Sequence, residues 1–217
     1  MSLLSVMGKV FEKLVASVTW QHLDEHQLLS LHHFGFRSGR STSDLLLFLS
    51  QEWQDTLDEG LDTLVVALDI AGAYDRVWHS GLLAKLQAKG IEGSPLMLLE
   101  DYLQGRTLRV VVNGRTSSPA HIGASVPQGS VVGPVLWNVY IDDLLRQLPA
   151  VKAYADDCTI SLSYCRQDNQ RAVANINRQL RYQRSGRRCG KSPSLRTRDG
   201  HLTVPCRFTG RGRTATV

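Results

Sequence analysis

Two adjacent carboxylates, Asp156 and Asp157, stand between apolar, β-branched runs in Lys152-Ala-Tyr-Ala-Asp-Asp-Cys-Thr-Ile-Ser-Leu162, where a hairpin tip is expected. Tight hairpins prefer Asn-Gly or Asp-Gly, whose residues accept positive φ. Two like charges at a tip repel each other, and a divalent cation is the usual reason to keep them. A third carboxylate, Asp69, follows Leu64-Val-Val-Ala-Leu68, a short apolar run that reads as a buried strand. An unpaired carboxylate at the end of such a strand is costly unless something cationic meets it. If the two strands are neighbours, Asp69, Asp156 and Asp157 converge. Hard cations such as Mg²⁺ take oxygen donors of this kind together with waters and substrate phosphates, the arrangement of two-metal phosphoryl or nucleotidyl transfer. Taken singly, each aspartate also fits a turn residue or a helix cap.

The elements that must position these carboxylates follow from the apolar spacing. Leu3, Leu4, Met7, Val10, Phe11, Leu14, Val15 and Val18 mark an amphipathic first helix, and Leu45 to Leu57 a second. Val77, Leu82, Leu83 and Leu86 outline a third, with Asp75 pairing with Arg76 or capping it. Leu108-Arg-Val-Val-Val-Asn-Gly114 followed by Ala120 to Val126 reads as a hairpin leading into the loop Pro127-Gln-Gly-Ser130. Pro134 suits the first turn of a helix on which Val135, Leu136, Val139, Tyr140 and Leu144 recur. Thr116 to Ile141 carries no Lys, Arg, Asp or Glu, but Pro127, Gly129, Gly133 and Pro134 break it, so no membrane span is expected. Lys9, Glu12 and Lys13 likewise interrupt any secretory signal. Adjacent His32 and His33 read as packing or surface residues rather than ligands. Cys158, Cys165, Cys189 and Cys206 lack Cys-x-x-Cys spacing and fit free thiols in a reducing compartment.

Four blocks in order carry a resemblance. Leu68-Asp-Ile-Ala-Gly-Ala-Tyr-Asp75, Pro127-Gln-Gly-Ser130 and Tyr154-Ala-Asp-Asp157 resemble the three palm motifs of reverse transcriptases. Phe34-Gly-Phe-Arg-Ser-Gly-Arg-Ser-Thr42 is similar to the block before the first palm motif in non-LTR retrotransposons of the LINE or jockey-like type. The resemblance covers about residues 3 to 182 and implies an α+β polymerase palm with an antiparallel sheet and packed helices. It assigns partial fingers to residues 1–60 and the palm to 61–182, with no thumb. It also implies RNA-directed DNA polymerase chemistry, an RNA template, a DNA primer, deoxynucleoside triphosphates and Mg²⁺ or Mn²⁺. Asp69 and Asp156 would hold two ions, Asp157 less directly, with the Ile70 carbonyl as a further ligand. Tyr74 would lie under the incoming sugar and exclude a 2′-hydroxyl, Gln128 and Gly129 would lie against nucleotide or template, and Arg37 and Arg40 would meet nucleic acid. A two-metal nuclease or phosphatase could use the same carboxylates but has no need of Tyr74 or the Pro-Gln-Gly-Ser loop.

Charge changes near residue 182. Residues 183–217 hold nine Lys and Arg against one acidic residue, whereas residues 1–182 hold sixteen against nineteen, so the chain's net +5 comes from its end. With eight apolar residues in thirty-five, that segment reads as a basic, disordered tail, either a nucleic-acid-binding arm or an out-of-frame continuation. Together these features read as an intracellular fragment, nuclear or cytoplasmic, that extends no primer by itself. The alternative is a decayed or domesticated, non-catalytic nucleic-acid-binding protein.

Overall fold

The computed structural model describes residues 6–70, 72–148, 150–185 and 206–208. In chain order they form α1 (Val6–Glu25), α2 (Thr42–Asp58), β1 (Asp62–Asp69), α3 (His79–Ala88) and α4 (Gly93–Leu103), then four two-residue strands. These are β2 (Thr107–Leu108), β3 (Val111–Val112), β4 (Arg115–Thr116) and β5 (Ala120–His121). α5 (Gly133–Gln147), β6 (Val151–Tyr154), β7 (Asp157–Tyr164), α6 (Asn169–Ser185) and β8 (Cys206–Phe208) complete the order. The chain divides into two units, residues 1–30 with 72–142 and residues 31–71 with 143–217.

In the first unit α5 is buried on all sides, with Asn138 and Asp142 among its apolar residues. Val135, Leu136, Trp137, Val139, Tyr140 and Ile141 are all buried, as expected of a helix enclosed by its neighbours. α1 departs from expectation. Met7, Val10, Phe11, Leu14 and Val18, read as its core face, are 52 to 80% exposed, while Glu12, Ala16, Thr19 and Leu23 are buried. The buried face carries a carboxylate because that carboxylate accepts hydrogen bonds from Ser130 and the Val131 amide. Asp75 does not cap α3, whose N-cap is Trp78 without a side-chain bond; it lies in a 3-10 turn at Tyr74–Arg76. The expected hairpin is a pair of nested ribbons, β2 with β5 and β3 with β4. Asn113 and Gly114 close the inner one with φ of 50° and 75°, the signs a type I′ turn needs. Thr107 to His121 is exposed throughout, and Ala120 to Val126 does not continue as one strand: Ala120 and His121 pair with β2, and Ala124 makes an isolated bridge to Trp78.

In the second unit the strands lie in the order β6-β7-β1-β8, all antiparallel neighbours. α2 packs on β1 and β6, and α6 on β7. Ser41 and Asp44 form a reciprocal capping box that fixes where α2 starts. β1 is not buried along its whole length: Leu64 and Leu68 are, but Ala67 is exposed. Of the segment expected to be disordered, the helix runs on to Ser185 and Cys206–Phe208 pairs with Thr63 to Val65, because the outer edge of β1 offers unsatisfied backbone groups. The remainder of that segment lies outside the described residues. Among the described residues, no helix is long and apolar enough to cross a membrane.

Candidate active site

The expected site residues fall into two groups, one in each unit. In the second unit β1 pairs with β7 so that Asp69 is directly opposite Asp157, while the Ile70 amide donates to the Asp156 carbonyl at 3.2 Å. The hairpin tip lies one residue earlier than expected. Tyr154 pairs with Asp157, which leaves Ala155 and Asp156 as the two turn residues. Ala155 takes φ of 56°, and Asp156 is not left-handed, a combination with the φ signs of a type II′ turn. Asp157 is therefore the first strand residue, exposed, while Asp69 and Asp156 are half-buried.

Three carboxylates thus share one end of the sheet, and their field reaches the neighbouring thiol. Burial pushes the Cys158 thiol up to about 12, and Asp157, Asp156 and Asp69 add to the rise. The groups that this sheet end leaves exposed or half-buried are the carboxylates, which are hard oxygen donors, whereas the thiol is buried. Among the described residues no three His, Cys, Asp or Glu side chains are gathered into a metal-holding set. The expected convergence is therefore incomplete, since like charges oppose closing on one point. Their chemistry fits Mg²⁺ or Mn²⁺; closing on the ion would have to overcome this repulsion.

The Phe34–Thr42 block supports the carboxylate turn. The Ala153 amide donates to the His32 carbonyl and the Phe34 amide to the Ala153 carbonyl, both at 2.8 Å, so this stretch runs beside β6. A Cβ on Gly35 would lie 3.0 Å from Ala155 Cα and 3.2 Å from the Tyr154 carbonyl carbon. Only glycine permits that approach. Arg40, expected to meet nucleic acid, donates Nη1 to the carbonyls of Leu31 and His33 and stacks over the Phe34 ring at 5.2 Å. Arg37 is half-buried in the same loop.

In the first unit Tyr74 is joined to the Pro127–Ser130 loop. The Val126 amide donates to the Tyr74 carbonyl at 2.9 Å, and the Tyr74 ring stacks on Trp137 with centroids 5.9 Å apart. A Cβ on Gly133 would come within 3.2 Å of that ring. The loop is a β-turn closed by the Ser130 amide on the Pro127 carbonyl at 3.2 Å, with Gly129 at φ of 86°, as the third position of a type II turn requires. Gln128 and Gly129 project from it, exposed. Sequence reasoning missed two residues that hold these loops, Gly35 and Glu12. A glycine flanked by two phenylalanines, and a glutamate in line with Ala16, Thr19 and Leu23, were the available signals.

The ordered blocks now have relatives to be measured against. The family described as reverse transcriptase (RNA-dependent DNA polymerase) matches residues 1–186. The chain belongs to this family. It is 37% identical over 154 residues to a probable RNA-directed DNA polymerase from transposon BS of Drosophila melanogaster, covering 70% of this chain and 16% of that protein. It is 34% identical over 161 residues to the RNA-directed DNA polymerase from mobile element jockey of the same organism, covering 74% and 17%. For the X-element counterpart the identity is 33% over 174 residues, covering 77% and 19%. The chain thus spans less than a fifth of each of these relatives. The fold of this reverse transcriptase chain is similar to that of an apo telomerase from Candida tropicalis truncated from its C-terminal domain. The TM-score is 0.61 at 10% identity, over 95% of this chain and 42% of that one.

Proposed function

We propose that this chain carries the polymerising site of an RNA-directed DNA polymerase of a non-LTR retrotransposon, adding deoxynucleotides to a DNA primer on an RNA template. The observation that supports it most is the pairing of Asp69 with Asp157 beside the Asp156 turn, which sets three oxygen-donor residues at one sheet end. Asp69, Asp156, the Ile70 carbonyl and, less directly, Asp157 would hold Mg²⁺ or Mn²⁺. Such ions, when bound, polarise phosphate oxygens and stabilise the charge on attacking and leaving oxygens. The chain's own residues supply the positioning. Tyr74, which is held by Trp137 and by its backbone bond to Val126, would pack under a sugar and reject a 2′-hydroxyl. Gln128 and Gly129 offer an amide and a bare backbone to a nucleotide or template base. Arg37 remains the candidate for phosphate contact, whereas Arg40 acts by fixing the Phe34 loop.

The test is primer extension on an RNA template with Mg²⁺ or Mn²⁺, with the Asp156→Asn, Asp157→Asn double variant as the blank. Against the expectation that the chain by itself extends no primer, template-dependent extension that falls by at least about 10²-fold in the double variant is the result that supports catalysis, given the cost of misplacing reacting atoms. A chain that binds primer and template yet extends neither above the blank would overturn catalysis in favour of a non-catalytic nucleic-acid-binding role.

A further inference from the structure

The carboxylate of Glu12 is only 5% exposed, although it sits on a helix whose apolar residues largely face outward. Its Oε2 accepts from Ser130 Oγ at 2.8 Å, from the Val131 amide at 2.6 Å and from the Val132 amide at 3.4 Å. Ser130 Oγ in turn accepts from Tyr102 Oη at 2.8 Å and from the Gly133 amide at 3.0 Å. A hydroxyl has one donor and two acceptor positions, and all three of Ser130's are used. Burial raises the Tyr102 phenol, so it stays a donor. The carboxylate also lies at the N-terminal end of α5, where negative charge is favoured by the aligned peptide dipoles.

These bonds end on Ser130, the last residue of the turn whose two projecting residues are Gln128 and Gly129. We propose that Glu12 is a positioning residue for nucleotide binding. Through Ser130 and the Val131 and Val132 amides, it locks the Gln128–Gly129 turn to α1 and α4 in the conformation that receives the incoming deoxynucleotide. The inference rests on the reading of Gln128 and Gly129 as nucleotide-contacting residues. Removing the carboxylate leaves the part-buried Val131 amide, the buried Val132 amide and the Ser130 hydroxyl without their acceptor, so the turn gains alternative conformations and binding must first select the competent one. Gln in place of Glu keeps an acceptor oxygen at the same reach and should restore most of the order.

Two readouts test it. In RNA-templated extension, Glu12→Ala is expected to raise the KM for deoxynucleotide by about tenfold, the effect of losing one charge-assisted hydrogen bond, with a smaller fall in kcat. Glu12→Gln should stay near the parent, and Ser130→Ala combined with Glu12→Ala should add little, because both act through one network. Amide exchange, which needs no activity, should show Val131 and Val132 protected in the parent and in Glu12→Gln and unprotected in Glu12→Ala. A folded Glu12→Ala protein with parental KM, or with parental protection at those two amides, overturns the proposal. So does an equal loss in the Ala and Gln variants. A parent that extends no primer overturns the proposed function instead, while exchange still decides whether Glu12 holds the loop.

Discussion

Gly35 lies against the backbone of Ala155 so closely that it has no room for a side chain, and Ala155 is the residue that begins the carboxylate turn. Gly35→Ala must push that turn away from the Phe34 loop. Overpacking of this kind costs about 1–3 kcal/mol. We expect the melting temperature to fall and metal-dependent stabilisation to weaken, because Asp156 moves with Ala155. A variant that keeps the parental response to Mn²⁺ in thermal unfolding would show that the turn is not held from this side.

Asp69 and Asp157 face each other directly, and like charges in that position are destabilising by about 0.2–1 kcal/mol. Asp157→Asn should therefore raise the melting temperature in EDTA. Mg²⁺ or Mn²⁺ should raise it in the parent by mass action, and Asp69→Asn or Asp156→Asn should each remove that rise. Unchanged metal responses in both variants would discard the assigned site.

The thiol of Cys158 offers a pH signature. Burial first, then Asp157, Asp156 and Asp69, lift it from 9.0 to about 12 in the folded chain. A group with a raised folded value stabilises the fold fully below its unfolded value. That contribution is lost as pH climbs from about 9 toward 12. Stability measured by denaturant should fall across that window more steeply in the parent than in Cys158→Ala. Equal slopes would show that the thiol has no part in it. At pH 8, exposed Cys165 should alkylate in the native protein and buried Cys158 should not.

Arg40 caps two carbonyls and stacks on Phe34, a combination that depends on a planar guanidinium. Arg40→Lys should cost about 1–2 kcal/mol of stability through the lost hydrogen bonds. The salt dependence of nucleic-acid binding should stay as in the parent, since no phosphate contact is lost. A shallower salt slope at unchanged stability would return Arg40 to a phosphate-contacting role.

How far the sequence is legible varies from element to element. β1 and the β6–β7 hairpin are readable because short β-branched runs bounded by carboxylates suit strands far better than helices, and Asp69, Asp156 and Asp157 come to one sheet end without closing into a metal-holding set. The exact tip is not readable, since nothing in Tyr154-Ala-Asp-Asp157 says that alanine rather than aspartate takes the left-handed position. α1 misleads for a physical reason. Apolar spacing assigns its buried face by hydrophobicity alone, but Glu12 finds acceptor-seeking groups at Ser130 and Val131, more than a hundred residues away. Gly35 is invisible for the same reason, because its neighbour Ala155 is brought in only by the sheet.

The enclosure of α5 bears on how the chain is made. Unfolded, its run of Val, Leu, Trp and Tyr would be the stickiest stretch of the first unit. The elements that hold it there precede it: Lys85 of α3 donates to the Tyr140 carbonyl, Lys89 just beyond α3 pairs with Asp142, and the loop that leads into α5 is held by Glu12 of α1 and Tyr102 of α4. Since synthesis delivers roughly 5–20 residues per second from the N-terminus, those helices have left the ribosome seconds before α5 emerges. The most aggregation-prone helix of the unit thus meets its partners already waiting.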